Sequence, residues 1–306
     1  MNGCRACLRP VADGGEWHPR CVRALFETSR VPAIDVDLAR FQTLALATIG
    51  QGSLSGVQRK LSLEPSLDGR TLHAAVAGAL YVLKPESRDW EALPENEHLT
   101  MNLARLSGLE TPPLGLVTLQ DGSSAYLVRR FDRGEHGRKR ACEDFCQLAE
   151  LPPKDKYAGS VEACATLVSR FSSEPLIEFL ALFRQVVFAW WTGDGDLHRK
   201  NLSLLRHDDG TWRISPAYDR VSTHLLIPRD DLALTVQGKR SRLGRKAWLA
   251  LAEAMGLPAR AAVRALDAQA AVVDAAVDMT ERSALSDGQK RSHCDWLLAK
   301  SAALAG

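Results

Sequence analysis

The pattern of apolar and polar positions changes character twice along the chain. From residue 50 onward, short apolar runs alternate with Gly, Ser and Asp, in "GSLSGVQRKLSL", "LDGRTLHAAVAG" and "ALYVLKPE". Short runs bounded by turn residues predict strands. In "ENEHLTMNLARLSGL" the period becomes helical, with Leu99, Leu103, Leu106 and Leu109 at spacings of four, three and three and Gly108 as the stop. "PPLGLVTLQDGSSAYLVRRFDR" then predicts two strands around a turn at Asp121-Gly122. This part of the chain predicts a small antiparallel sheet with one helix.

From about residue 143 the pattern is mainly helical, with "EDFCQLAEL" as one candidate. Ser173 and Pro175 open a longer helix through "LIEFLALFRQVVFAWWT", with proline in the first turn, where its missing N–H costs nothing. Two strands follow, "NLSLLRH" and "TWRISPAY", joined by Asp208-Asp209-Gly210, and the last 60 residues are alanine-rich and read as helices. Residues 1–26 read as a small separate unit and 27–50 as a partly helical connection. No internal repeat or low-complexity tract interrupts this order.

Composition narrows the class. A chain of 306 residues can bury a substantial core, as two lobes. With a formal net charge of +2, no whole-molecule field calls for a nucleic acid or a membrane. The basic run "GKRSRLGRK" at 238–246 is local and reads as a solvated loop, with phosphates or an acidic partner as the alternative. The apolar stretch 176–191 contains Glu178, Arg184 and Gln185 and is shorter than the ~20 residues of a spanning helix, so it predicts a core helix. The start, "MNGCRACLRP", is not a basic-then-apolar signal, and seven scattered cysteines fit a reducing cytoplasm.

The chemistry concentrates in "GDGDLHRKN", residues 193–201, directly after the apolar run "VVFAWW". A carboxylate (Asp196), an imidazole (His198) and a carboxamide (Asn201) leave the core together. One carboxylate can accept a hydroxyl proton, and a carboxamide oxygen can bind a hard cation. Asp219 comes 18 residues after Asn201, beyond a strand pair that can fold back beside the loop. Mg²⁺ takes such oxygen ligands while keeping water and phosphate in its other positions. Phosphoryl transfer uses this set plus a lysine for phosphates. Lys84, ending the apolar strand "YVLKPE", is the candidate, with Glu95 or Glu97 of "PENE" as a carboxylate partner. Acidic residues there also suit a helix N-terminus. The loop "GQGSLSGVQRK" holds Gly50, Gly52, Gly56, Ser53 and Ser55. Its backbone N–H groups can approach phosphate, although it is not a P-loop.

These residues resemble the HipA-type toxin serine/threonine kinases. The resemblance runs in order through "SLSGVQRKLSL", "YVLKP", "ENEHLTMNLARLSGL", "LVRRFDR", "EDFCQL" with "KY" soon after, "GDLHRKNLSLL" and "SPAYDRVST", roughly residues 50–225. It implies an α+β, two-lobed protein-kinase-like fold, with a small β-rich N-lobe over 27–142 and a larger helical C-lobe over 143–306. It implies ATP between the lobes with Mg²⁺, Asp196 as catalytic base, His198 shaping the catalytic loop, and Asn201 and Asp219 as metal ligands. Lys84 would contact the ATP phosphates, Ser53, Ser55 and Gly56 would lie in the phosphate loop, and Val128 and Arg130 at the adenine hinge. Ser53 and Ser55 would be autophosphorylation sites. Arg129 stands where the family often has Glu. The full-length form carries an extra N-terminal subdomain for which this chain has no room. The chain therefore looks more like the short, HipT-like form of a three-component system. Expected partners are a protein substrate such as an aminoacyl-tRNA synthetase, an antitoxin with a helix-turn-helix domain that binds DNA, and a small third protein. A pseudokinase module or a small-molecule phosphotransferase is the alternative.

The N-terminal segment carries a second chemistry. Cys4, Cys7, His18 and Cys21 are spaced C-x2-C-x10-H-x2-C, with Gly14-Gly15 as a turn between the pairs. Two ligand pairs are what a closed structural zinc site needs. Free cysteines in a short hairpin are the alternative. Cys142 and Cys146 read as packing residues.

Overall fold

Leu61 and Leu63, Tyr81 and Leu83, Ala125 and Leu127 each stand two apart in sequence and share one buried cluster. That period puts alternate side chains on one face of a sheet. A computed structural model describes residues 3–36, 60–75, 78–87, 89–134, 137–228 and 230–306. The chain divides into two compact units, Met1–Asn102 with Pro112–Lys139 and Arg282–Leu285, and Leu103–Thr111 with Arg140–Glu281 and Ser286–Gly306.

The first unit is built on a six-stranded sheet. Its strands are β1 (Ala33–Ile34), β2 (Leu61–Pro65), β3 (Thr71–Ala74), β4 (Tyr81–Pro85), β5 (Leu114–Thr118) and β6 (Ser124–Arg129). The order is β1-β3-β2-β4-β6-β5. All pairings are antiparallel except β1 with β3. β1 lies in the segment expected to be partly helical, and of that segment 37–50 falls outside the described residues. The short parallel strand forms because Ile34 pairs with Leu72 and joins the sheet's buried cluster.

Residues 3–26 fall in the same compact unit as the sheet. Helix α1 (Pro19–Phe26) sends Val22, Leu25 and Phe26 into the sheet's core, and the Tyr81 hydroxyl donates to the Leu25 carbonyl at 3.0 Å. The apolar face of an eight-residue helix is too small to form a core alone. Helix α2 (Leu93–Leu106) follows as the leucine spacing predicts, and Gly108, at φ +71, takes the left-handed stop.

In the second unit, β7 (Cys142–Asp144), β8 (Ser203–Arg206) and β9 (Trp212–Ile214) form a three-stranded sheet. "EDFCQLAEL" is mostly not helix. It pairs Glu143 with Leu204 as strand and then turns through a four-residue helix, α3 (Phe145–Leu148). Asp144 caps α3 by accepting N–H bonds from Cys146 and Gln147. Helix α4 (Val161–Phe171) was not foreseen, though Ser160 caps it. Helix α5 (Pro175–Thr192) is the expected core helix. Its cap residue is Glu174, because the Ser173 hydroxyl is taken by the Trp212 N–H at 2.9 Å. The alanine-rich end forms α6 (Arg245–Ala254), α7 (Ala259–Ala271), α8 (Val273–Arg282) and α9 (Asp287–Ala305). Among the described residues no helix is long and apolar enough to cross a membrane.

Candidate active site

Helix α5 aims the loop. Its last two turns, from Val186 to Thr192, are buried, and Gly193 stops it in the left-handed conformation at φ +72. A Cβ at position 193 would lie 2.7 Å from the His224 Cβ, so only glycine fits this exit. Asp194 then turns inward and is fully buried. One of its oxygens accepts the Asp196 N–H at 3.0 Å, and the other lies 3.9 Å from the Arg220 guanidinium. Burial pushes the Asp194 carboxyl up to about 8, against the pull of Arg220. Burial also lowers the Arg220 pKa.

Asp196 is the exposed carboxylate of the loop, its side chain 45% accessible. Its carbonyl is held twice, by the His198 N–H at 2.7 Å and by the Asn201 carboxamide nitrogen at 3.0 Å. Committing that nitrogen to the backbone leaves the Asn201 carboxamide oxygen as the end that can serve a cation. His198 is buried, with its Nε2 3.9 Å from the Asp196 carboxylate, beyond hydrogen-bond reach. Burial lowers the His198 pKa, partly offset by Asp196. The imidazole is therefore a packing element beneath the loop.

The "KY" segment docks on the same loop. Tyr157 donates its phenol to Asp196 Oδ1 at 2.5 Å, and its ring sits edge-on to His198 at 5.1 Å. The Arg199 N–H donates to the Lys156 carbonyl at 3.1 Å, and the Arg199 side chain reaches the Ala158 carbonyl at 2.8 Å. Burial first, and then the bond to Asp196, raise the Tyr157 pKa, so the phenol keeps its proton.

Asp219 adopts φ +56, the left-handed region that non-glycine residues rarely occupy. Such backbone persists only where the surroundings enforce it, and it clusters at functional sites. The next residue supplies the enforcement. Arg220 is fully buried and donates to the Gln185 side-chain oxygen at 2.7 Å and the Asn201 carbonyl at 3.2 Å. Gln185 in turn donates to the Ser215 carbonyl at 3.0 Å. On the other side, the Tyr218 hydroxyl donates to the Lys200 carbonyl at 2.8 Å. One network thus fixes Asn201 and the chain around Asp219, while Asp194, facing Arg220, fixes Asp196. Oxygen donors on a pre-set, partly buried loop fit a hard divalent cation.

In the first unit, the structure decides between the two glutamates. Lys84 Nζ lies 2.6 Å from Glu97 Oε1, with side chains only 8% and 1% exposed. Glu95 is also buried, which raises its pKa. Val128 is part-buried beside Met101, Leu114 and Tyr126. Arg130 grips Asp132 with two bonds, at 2.8 and 2.7 Å. Arg129 pairs with Glu27 at 2.7 Å. Ser53, Ser55 and Gly56 lie outside the described residues. Cys4, Cys7, His18 and Cys21 come together, with ligand atoms all within 4.8 Å of one another. Cys146 is buried and Cys142 partly so, and both are free thiols.

Residues 52–277 match the family model described as the HipA-like C-terminal domain. The chain belongs to the HipA-like family. Y4dM of Sinorhizobium fredii is 32% identical over 246 residues, covering 75% of this chain and 58% of that protein. Y4mE of the same organism is 31% identical over 213 residues, covering 67% and 49%. Both carry provisional kinase names, and the chain spans only about half the length of these relatives. A chain from the Shewanella oneidensis MR-1 complex of HipA, HipB and operator DNA superposes with a TM-score of 0.69 at 21% identity, covering 85% of this chain and 70% of that one. The Helicobacter pylori proinflammatory kinase CtkA gives 0.52 at 13% identity, covering 73% and 86%. These likenesses establish a kinase-like α+β fold.

Within this HipA-like domain, the loop's supports were the part that motif reading missed. Arg220 sits inside the quoted "PAYDRVST", Asp194 inside "GDGDLHRKN" and Tyr157 inside "KY", yet none was given a role. A carboxylate two residues before Asp196 and an arginine directly after Asp219 were the available signals. Gln185 had only one, as a polar residue inside an apolar helix.

Proposed function

We propose that this chain is an ATP- and Mg²⁺-dependent serine/threonine protein kinase, acting as the toxin of a toxin–antitoxin pair. The observation that carries the reading is the buried support under the loop, in which Arg220 bonds the Asn201 backbone and faces Asp194, which holds Asp196. This support fixes the backbone of the loop that carries Asp196 and Asn201 before any substrate arrives. Preorganised charge of this kind contributes most to phosphoryl transfer, where the protein does little covalent chemistry.

In this reading Asp196 accepts the proton of an acceptor hydroxyl as that oxygen bonds to phosphorus and ADP leaves. His198 packs beneath the loop and sets its shape. Asn201 and Asp219 would hold Mg²⁺, which when bound neutralises charge on the phosphates. Lys84, oriented by Glu97, serves the phosphates, with the loop bearing Ser53, Ser55 and Gly56. Val128 and Arg130 serve the adenine. Phosphorylation of Ser53 or Ser55 would add about −1.5 to −2 charges to a loop that holds phosphates, and so would weaken ATP binding.

The likeness to a HipA–HipB–DNA complex supports an antitoxin partner that brings DNA to the assembly. Family resemblance suggests an aminoacyl-tRNA synthetase as substrate, and a small third protein as a further partner.

The test is γ-labelled ATP with purified protein, with and without Mg²⁺, followed by phosphosite mapping. The expected result is Mg²⁺-dependent label on Ser53 or Ser55 that is lost in Asp196→Ala. ATP binding without turnover would replace the kinase reading with that of a pseudokinase. Full labelling by Asp196→Ala would remove Asp196 as the base.

A further inference from the structure

The first unit holds a chemistry that phosphoryl transfer does not use. We propose that Cys4, Cys7, His18 and Cys21 form a closed tetrahedral Zn²⁺ site that clamps the N-terminal segment onto the β5 edge of the six-stranded sheet.

The geometry is that of a metal knuckle. Tetrahedral zinc with bonds of about 2.0–2.3 Å places its ligand atoms roughly 3.3–3.8 Å apart. Here Cys7 Sγ lies 3.4 Å and Cys21 Sγ 3.9 Å from His18 Nδ1. The Cys4–Cys7 turn closes with the Leu8 N–H on the Cys4 carbonyl at 2.9 Å, and Leu8 is left-handed at φ +57. His18 and Cys21 share one turn of chain at the start of α1, where His18 is the cap residue and the Cys21 N–H donates to its carbonyl at 2.9 Å. Thiolates are favoured at such a helix start.

The hydrogen-bond geometry favours one tautomer of His18. His18 Nε2 lies 2.9 Å from the Pro10 carbonyl oxygen, which can only accept, so Nε2 carries the hydrogen. Nδ1, the atom facing the cysteines, then presents its lone pair. A histidine ligand held through its far nitrogen by a carbonyl is the usual outer support of a zinc site. The His18 N–H also donates to Cys4 Sγ at 3.3 Å. With three thiolates and one imidazole, no coordination position remains open, so the role is structural.

The same residues reach the sheet. β5 is the last strand in the sheet order. Its rim is met by Arg5, between the two knuckle cysteines: the Leu116 N–H donates to the Arg5 carbonyl at 2.8 Å, and the Arg5 guanidinium donates to Thr118 Oγ1 at 2.7 Å. Trp17, next to the His18 ligand, lies so close over β5 that a Cβ at Gly115 would be 2.7 Å from its ring. The knuckle therefore covers an edge that would otherwise offer unpaired backbone to another strand. Among the described residues, the knuckle's own cluster has just three small buried members, Cys4, Ala6 and Cys7. That is too little apolar surface to hold the turn without a cross-link.

The test uses the whole chain. Elemental analysis after purification in chelator-free buffer is expected to find about one Zn²⁺ per chain. Cys7→Ser should lose it and Cys142→Ser should keep it. Because Cys7→Ser can also misfold, wild-type protein is stripped with a chelator under reducing conditions and reloaded with Co²⁺. Thiolate-to-cobalt charge-transfer and tetrahedral ligand-field bands are expected, bleached by added Zn²⁺. Hydrogen exchange at 114–118 should rise on stripping and fall on reloading. Absent stoichiometric zinc and absent cobalt bands, or a disulfide among the three cysteines in the native protein, would overturn the site. Bound zinc with unchanged exchange at 114–118 would overturn the clamp.

Discussion

The phenol of Tyr157 donates to the carboxylate of Asp196 at 2.5 Å, joining two residues 39 positions apart. Among the described residues Asp196 is otherwise held through its backbone, so Tyr157 is what orients the carboxylate itself. One oxygen is occupied by the phenol and the second remains for an acceptor hydroxyl. Tyr157→Phe keeps the ring against His198 and removes only this bond. A hydrogen bond to a charged group contributes about 1.5–3 kcal/mol. The variant should therefore lose roughly ten- to a hundredfold in kcat with an unchanged KM for ATP. A kcat equal to or above wild type in steady-state assays would show that the phenol blocks the carboxylate instead of aiming it.

Lys84 and Glu97 form the buried pair of the first unit, at 2.6 Å. Removing one partner from such a pair strands the other charge, at a cost of about 3–5 kcal/mol. Glu97→Ala should lower stability by that order in urea denaturation and abolish phosphotransfer. The double variant Lys84→Met, Glu97→Leu should recover most of the stability and none of the activity. A double variant that stayed as unstable as the single would assign the loss to packing and not to charge.

The legible part of this protein was the part with a short period or a tight motif. Alternation in β2 and β4 and the leucines of α2 are local, so the pattern alone placed them. Glu143 and Asp144 of β7 read as helix in the sequence because β7 gains its pairing from β8, about 60 positions away. No local propensity encodes that partner. β1 was missed for the same reason, since its two residues pair with β3. At the site, the spacing of Asp196, His198 and Asn201 was readable because one loop carries all three. Arg220, Gln185 and Asp194 were not, since each acts through a contact made in three dimensions and is chemically ordinary in sequence. Lys84 sits between these cases: the strand announced a lysine, and only the fold chose Glu97 over Glu95 as its partner.

Asp219 holds φ +56, which permits a clean separation of backbone from charge. Asn tolerates the left-handed region nearly as well as Asp, and a β-branched residue does not. Asp219→Asn should leave stability within about 0.5 kcal/mol of wild type, yet raise the Mg²⁺ concentration for half-maximal activity by at least tenfold. Asp219→Val should lose stability as well. Unchanged Mg²⁺ dependence in a metal titration of the Asn variant would remove Asp219 from the metal site.

Buried histidines should contribute a loss of stability on the acid side, His293 most of all, against the opposite slope of the buried Asp194 carboxyl. His293 lies on α9 with no exposed surface, and its Nδ1 is 3.4 Å from the Ser222 hydroxyl. Burial, with a smaller push from the nearby His224, lowers its pKa from 6.5 to about 3. Burial likewise lowers His198 and His224. The sign follows from proton counting. Between pH 6.5 and 3 the unfolded chain binds a proton at residue 293 and the folded chain does not. The stability carried by the neutral ring is therefore complete above 6.5 and is lost as the pH falls through that window. Each such group contributes a slope of up to about 1.4 kcal/mol per pH unit. His293→Gln keeps a partner for Ser222 and cannot titrate. In urea unfolding at pH 6, 5 and 4, its slope should be shallower than wild type by about that amount. An identical slope would mean that His293 takes up its proton in the folded protein, which a closed pocket beside His224 should forbid.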